Sequence, residues 1–393
     1  MGITDWTIRA VNDLTARWAG AADGGTVFSA AGVWPLLAFL ADGAQGAARA
    51  ELAQALGVPA HQAATGAREL LASMESTPGL ESALGLWTDR ALELREEWLT
   101  GLPAEAHGVL TTDLEASQEA LDAWAAKRTG GLVERMPVTL TEDARMVLAT
   151  ALVLRTDWPR PFTEVMQSPD TGPWQGRRLL GLWRRGVRPD RLGVTSTPEG
   201  HVTALKVPGD NGIDVHLLLG EERMAPGQVL RAGVGVLEGA LPVTGGGQLP
   251  YGHVGPGLRV ERIPAVAPEP VSLDVSTVAF DVRADHDLLR LHRLFGLTTA
   301  RDTSQGHFPG ISAAPLAIGG AGQSAVAQFG ALGFRAAAVT AVMPVAAGGV
   351  PEFRYENTVV RAVFDRPFGF LAVHRETRLV LTAGWVTDPT PFR

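Results

Sequence analysis

The chain of 393 residues contains no cysteine, which removes disulfides, thiolate nucleophiles and thiolate metal sites together. No apolar run approaches a membrane span. Stretches such as 33–41 and 147–154 fall far short of the roughly 20 residues needed. The start, Met-Gly-Ile-Thr-Asp-Trp, lacks a basic segment followed by an apolar one. The expectation is a cytoplasmic protein, with an extracellular one as the alternative if a leader has been trimmed. Trp6 stands where a myristoylation signal wants Ser or Thr. Positive charge is scarce too: the net charge of −8 argues against nucleic acid and anionic membrane as partners. Catalytic motifs are also missing. There is no Gly-x-Ser-x-Gly elbow, since Ser324 in Gly322-Gln-Ser-Ala-Val fails at the last glycine. The nine histidines include no pair at the spacing of a helical zinc motif. Neither an enzyme nor a metal or cofactor is expected.

A hydrophobic fraction of 46% with 19% charged residues supports a large buried core. No linker-like segment divides the chain, so 1–393 reads as one domain. Asp5 is a candidate N-cap, and Ile8, Val11, Leu14 and Trp18 recur at helical spacing. Further helices are predicted over 28–40, 47–56, 61–73 and 117–128, and 91–102 is a helix or a turn. Strands are predicted over 82–88, 109–114 and 147–154, the last being a continuous apolar run of the kind buried on both faces. Residues 202–207 and 213–219 flank Asp210-Asn211-Gly212 and form a hairpin, because Asn-Gly favours the primed turn. Residues 271–282 read as one strand before a helix over 288–295. Residues 359–364, 368–373 and 379–385 are strands, the last two a hairpin across His374-Arg375-Glu376-Thr377. Early helices followed by many strands indicate α+β.

Three local patterns invite functional readings. Gly320-Ala-Gly322-Gln-Ser-Ala325 matches a relaxed dinucleotide fingerprint, but the next acidic residue is Glu352, so it reads as a turn before a strand. Asp285-His286-Asp287 is the best metal-like cluster and reads more simply as a cap and solvated turn. Arg177, Arg178, Arg184, Arg185, Arg188 and Arg191, interleaved with Trp174 and Trp183, form the basic concentration. They fit either a polyanion or acidic protein patch, or a sheet edge whose charges discourage pairing.

Residues 333–351 organise the rest. The middle is small and β-branched with no acidic residue, competent to pair as a strand. The far half carries Pro344, Gly348, Gly349 and Pro351, the chemistry of an exposed loop. Strand-like segments lie on both sides. This arrangement resembles the reactive-centre region of the serpins, of bacterial type and with a divergent hinge. The match rests on Ala336-Ala337-Ala338 after a glycine, on Phe364-Asp365-Arg366-Pro367-Phe368 with Phe370-Leu371, and on Gly384-Trp385-Val386-Thr387-Asp388-Pro389-Thr390. Phe28-Ser29, Thr129-Gly130-Gly131-Leu132-Val133 and Trp158 to Pro161-Phe162 match in the expected order.

The resemblance implies a serpin-like single domain with N-terminal helices, a large central mostly antiparallel sheet, further sheets and an exposed reactive-centre loop at about 333–351. It implies a monomeric inhibitor that a serine protease attacks at the loop, after which the cleaved loop enters the sheet and the acyl-enzyme is trapped. Counted from Gly333, the reactive bond is Ala347-Gly348, whose small residue suits elastase-like or subtilisin-like proteases. An extended loop cleaved near Arg354, Tyr355 or Glu356 is the alternative. The hinge is Gly333, Phe334, Arg335, Ala336, Ala337, Ala338, Val339 and Thr340. Sheet opening is assigned to Ser29, Thr150, Trp158 and Gln323, with Gly32, Thr150 and Gln323 replacing the family's serine, asparagine and histidine, and Gly369 replacing a bulky apolar residue. The runner-up function is a non-inhibitory binding protein of the same fold, whose loop is cleaved without trapping. A polyanion at 177–191 is a possible further partner.

Overall fold

The computed structural model describes residues 2–141, 144–334 and 353–393. The most apolar helix, Ala30–Gly43, is buried on all sides, as an all-round hydrophobic helix must be. Asp5–Ala19 packs its Val11, Leu14 and Trp18 stripe inward, and Gly46–Leu56 ends at Gly57, which takes the left-handed conformation a C-cap needs. None of the described helices is long and apolar enough to cross a membrane.

Three larger sheets make up most of the rest of the described chain. The seven-stranded sheet runs Thr26–Phe28, Val380–Val386, Phe368–His374, Ile213–Gly220, Gly200–Pro208, Leu192–Thr197 and Thr244–Gly245, with every neighbouring pair antiparallel. Both predicted hairpins lie within it. The six-stranded sheet places Tyr355–Val363 between Leu258–Ala265 and Ser272–Val278. The five-stranded sheet runs Phe280–Asp287, Ile318–Phe329, Met146–Leu154, Leu80–Asp89 and His107–Leu110. Its Met146–Leu154 strand is buried at every position, as its unbroken apolar run implies. The α+β architecture with large antiparallel sheets is therefore the one expected.

Several boundaries differ from the sequence reading, each for a local reason. The predicted strand 271–282 is two strands in two sheets, Ser272–Val278 and Phe280–Asp287. Between them, Ala279 donates to the Leu180 carbonyl and accepts from Thr390. The three successive buried residues Val278, Ala279 and Phe280 mark the crossover, which an apolar run conceals. Strand 109–114 stops at Leu110 because Asp113 caps the helix Leu114–Arg128, its carboxylate accepting from the Ala116 amide at 3.0 Å. The 91–102 and 288–295 segments shorten to Glu96–Gly101 and His292–Phe295.

Gly320 to Ala325 is not a turn but the interior of Ile318–Phe329. A Cβ on Gly320 or Gly322 would lie 2.5 or 2.6 Å from Val138. The glycines admit the chain that crosses the strand. Nor is Asp285-His286-Asp287 a solvated turn. It ends the Phe280–Asp287 strand, whose alternation turns both aspartates out and His286 in. There His286 donates from Nε2 to the Val27 carbonyl at 2.8 Å beside Trp18, and burial pushes its pKa down.

Candidate functional site

The five-stranded sheet has a seam in its middle. Ile318–Phe329 and Met146–Leu154 run parallel there, from Ile318 opposite Met146 to Ala325 opposite Leu152. Halfway along, the buried Gln323 accepts at Oε1 from the Ser29 amide (2.7 Å) and donates from Nε2 to the Ser29 carbonyl (2.9 Å). Ser29 Oγ donates to the Leu381 carbonyl at 2.6 Å and accepts from the Gly32 amide at 3.1 Å, which caps Ala30–Gly43. One residue thus ties the buried helix to the seam and to the C-terminal hairpin. Thr150 is the register partner of Gln323. A Cβ on Gly32 would stand 2.9 Å from Thr150 Oγ1 and 3.3 Å from Gln323 Nε2, so Gly32 supplies the room the glutamine occupies. The structure brings Ser29, Thr150 and Gln323 together.

Trp158 is elsewhere, at the end of the same seam. After Phe329 the chain reverses within four residues, the Gly330 amide donating to the Gly333 carbonyl at 2.9 Å. The turn is gripped from one side. Trp158 Nε1 donates to Gly330 (3.0 Å), the Trp158 amide to Leu332 (2.8 Å) and the Phe162 amide to Ala331 (2.8 Å). Gly333–Phe334 then pairs antiparallel with Thr156–Asp157, the continuation of Met146–Leu154. Beneath the turn lies an aromatic stack of which motif reading assigned only Trp158 and Phe334 to the site. Phe329 lies 5.1 Å from Trp158 and 5.3 Å from Phe280, and Phe334 lies 5.9 Å from Phe370. Phe370 was visible in the signature segment, but nothing in sequence pointed to its contact with Phe334. In the same segment Gly369 leaves space that Leu230 fills, its Cδ2 standing 2.8 Å from the position of an added Cβ.

Of the proposed hinge, Gly333 and Phe334 are described; Arg335, Ala336, Ala337, Ala338, Val339, Thr340 and the bond Ala347-Gly348 lie outside the described residues. The alternative cleavage positions sit in or beside a ladder. Tyr355 and Glu356 are paired with Ala265 and Pro264, and the Arg354 amide donates to the Ala265 carbonyl at 3.0 Å. The backbone of these positions is thus engaged by a neighbouring strand, whereas a protease cleft binds a segment whose backbone groups are free to pair with it. Among the described residues, the hydroxyl partners of histidine are Thr88, Thr298 and Thr377, so no serine–histidine pair supports hydrolysis.

The arginine concentration is divided by Leu179–Gly186. Arg177 pairs with Asp388 at 2.6 Å and Arg178 lies on Met166 at one end. Arg184, Arg185, Arg188 and Arg191 lie at the other. Trp174 is buried and donates to the Thr387 carbonyl, while Trp183 is exposed and donates to Asp274. The cluster is therefore not one continuous surface.

Comparison with known proteins gives a consistent answer. Residues 2–171 match the family model "Serpin (serine protease inhibitor)". The chain is 26% identical to "Putative serpin-Z6A" of Oryza sativa subsp. japonica over 386 residues, covering 93% of each. It is also 30% identical over 145 residues to "Putative non-inhibitory serpin-10" of the same organism, covering 35% of this chain and 37% of that one. Among solved structures, the thermophilic serpin Tengpin in its native state superposes with a TM-score of 0.76 at 14% identity, over 99% of this chain and 95% of that one.

Proposed function

We propose, because this chain belongs to the serpin family, that it is a monomeric suicide-substrate inhibitor of serine endopeptidases whose cleaved loop enters the seam between Ile318–Phe329 and Met146–Leu154. The direction of the chain around that seam carries the reading. The two strands are parallel, and Gly333–Phe334 already runs antiparallel beside the continuation of the second. A segment continuing from Phe334 in that sense is antiparallel to both neighbours. It replaces one parallel ladder with two antiparallel ones, which are slightly more stable per residue.

The register sets the length. In the proposed inserted form, the register of Gly333 opposite Asp157 and Phe334 opposite Thr156 would extend to put Thr340 opposite Thr150 and Pro344 opposite Met146, where the Met146–Leu154 strand begins. A proline has no amide to donate, so it suits that terminus. Alternation turns Ala336, Ala338, Thr340 and Val342 to the face of Phe334, all small enough to enter a packed core. With roughly ten residues paired at about 0.5–1.5 kcal/mol net per hydrogen bond, insertion releases on the order of 10 kcal/mol. The uncleaved form is then held kinetically.

The protease's serine oxygen attacks the Ala347 carbonyl carbon, forming an ester as the Gly348 amine departs. Insertion carries the esterified Ala347 away before water can release it. The small side chain at 347 selects elastase-like or subtilisin-like enzymes. Incubation with one of each, followed by a denaturing gel and intact mass, tests this. A denaturant-stable adduct at residue 347 is expected, and cleavage there without adduct would sink the inhibitory reading.

A second reading, a non-inhibitory binding protein, is favoured by one observation. Phe334 is already fully buried against Phe370, so insertion gains nothing from its transfer out of water. Cleavage without adduct and without a rise in thermal stability is its signature.

A further inference from the structure

We propose that the hollow between the Trp158–Arg160 turn and the Val187–Arg191 connection binds a compact molecule carrying two or more phosphate or sulfate groups. Its volume is about 500 Å³, and six of the side chains around it are cationic: Arg160, Arg184, Arg188, Arg191, Lys206 and Arg375. A hollow of this size lies within the usual range of small-ligand sites, about 300–1,000 Å³.

The charges are only partly balanced. Arg375 donates to Asp214 from Nε to both oxygens and from Nη2 to Oδ1, and Lys206 binds Oδ2 at 2.8 Å. Arg188 forks onto Asp190 at 3.0 and 2.8 Å. Arg160, Arg184 and Arg191 have no carboxylate partner among the described residues. With Asp190 and Asp214 set against six cations, the cluster keeps a surplus of four positive charges, in a chain whose net charge is −8. Like charges held together without counter-charge destabilise the fold unless an anion supplies it.

The guanidinium of Arg184 is not free to swing into solvent. It lies 4.2 Å from the Phe162 ring centroid and donates to the Arg160 carbonyl at 2.8 Å. Burial, then Arg191 and Arg160, push its pKa down to about 10, which leaves it charged at neutral pH and short of an anion. Planar guanidinium groups facing a common space recognise tetrahedral oxyanions through paired N–H donors. A single oxyanion answers one or two of them; two or more linked together answer the set. The greater part of the lining is polar, with Pro159, Val187 and Pro208 among its apolar members, which favours a charged occupant over an apolar side chain.

The site also borders the turn that leads into the loop. The Asp210 amide, beside the lining Gly209, donates to the Asp157 carbonyl at 3.0 Å, and Asp157 pairs with Gly333. An occupant therefore braces the wall against which Gly333–Phe334 is held.

The test is calorimetric titration of the full chain with sodium tripolyphosphate at fixed ionic strength, with thermal melts alongside. Saturable one-to-one binding and a raised melting temperature are expected. Affinity should fall at least tenfold in Arg160→Ala with Arg191→Ala, and stay within twofold in Arg223→Ala with Arg290→Ala, which removes two exposed charges outside the lining. Should the first pair fail to fold, Arg160→Lys with Arg191→Lys replaces it, with a loss of several-fold expected because charge survives but the fork does not. Absence of saturation, an equal loss in both alanine pairs, or a long sulfated polysaccharide that binds and is not displaced by tripolyphosphate would overturn the proposal.

Discussion

Phe334 and Phe370 pack with their ring centroids 5.9 Å apart, and Phe334 is wholly buried although it lies one residue past the turn that ends the seam. The anchor belongs to the chain before any cleavage. Because the proposed insertion extends the register of Gly333–Phe334 rather than shifting it, Phe334 stays where it is in both forms. Phe334→Ala should therefore cost about 3–5 kcal/mol of stability in the intact and the cleaved chain alike. Parallel denaturant titrations would check this, and a loss confined to one form would contradict a fixed register.

Strand alternation separates neighbouring loop positions. Ala338→Glu would bury an unpaired carboxylate on the Phe334 face, at a cost exceeding the gain of the pairings around it. Ala337→Glu points the same charge outward. The expected outcome on a denaturing gel is loss of adduct with the first and retention with the second, cleavage proceeding in both.

Gln323→Ala leaves the Ser29 amide and carbonyl without the side chain that pairs them, at about 1–3 kcal/mol. Gly32→Ala crowds Thr150 and Gln323, at about 1–3 kcal/mol. Since removing the glutamine relieves part of that crowding, the double variant should lose less than the sum. A double-mutant cycle from urea melts reads the coupling, and strict additivity would show that Gly32 does not serve as room for Gln323.

His216 sits opposite Lys206 in the seven-stranded sheet. Burial, then Lys206, push its pKa down to about 4 from 6.5, outweighing Asp214. The unfolded chain thus binds a proton between pH 6.5 and 4 that the folded chain refuses, so stability is full above pH 6.5 and falls as pH drops through that window. The loss is on the order of 3 kcal/mol by pH 4. His216→Gln should flatten the window. Asp214, whose pKa burial would raise but Arg375 and Lys206 hold down, contributes a separate loss below the ordinary carboxylate range.

Much of the fold was legible in local pattern. The unbroken apolar run at 147–154 and the hairpin across Asn211-Gly212 each act over a few residues, where periodicity and turn chemistry decide. The site was legible only in part. Ser29, Thr150 and Gln323 were found through a family resemblance, and nothing local in the sequence joins residues 29 and 323. The glycines of 320–325 misled because glycine serves both turns and close crossings, and the crossing residue, Val138, is far away in sequence.

By itself the sequence determined the type of many elements, the chain's lack of thiol chemistry and a small, acid-free segment at 333–351 with strands on either side, because these depend on side-chain size, charge and spacing along the backbone. Only tertiary structure decided that Gly32 makes room for Gln323, that Trp158 grips the turn after Phe329, and that six cations from separate strands and turns share one hollow. Such relations are set by packing between segments far apart in the chain, where distance in sequence carries no information about distance in space.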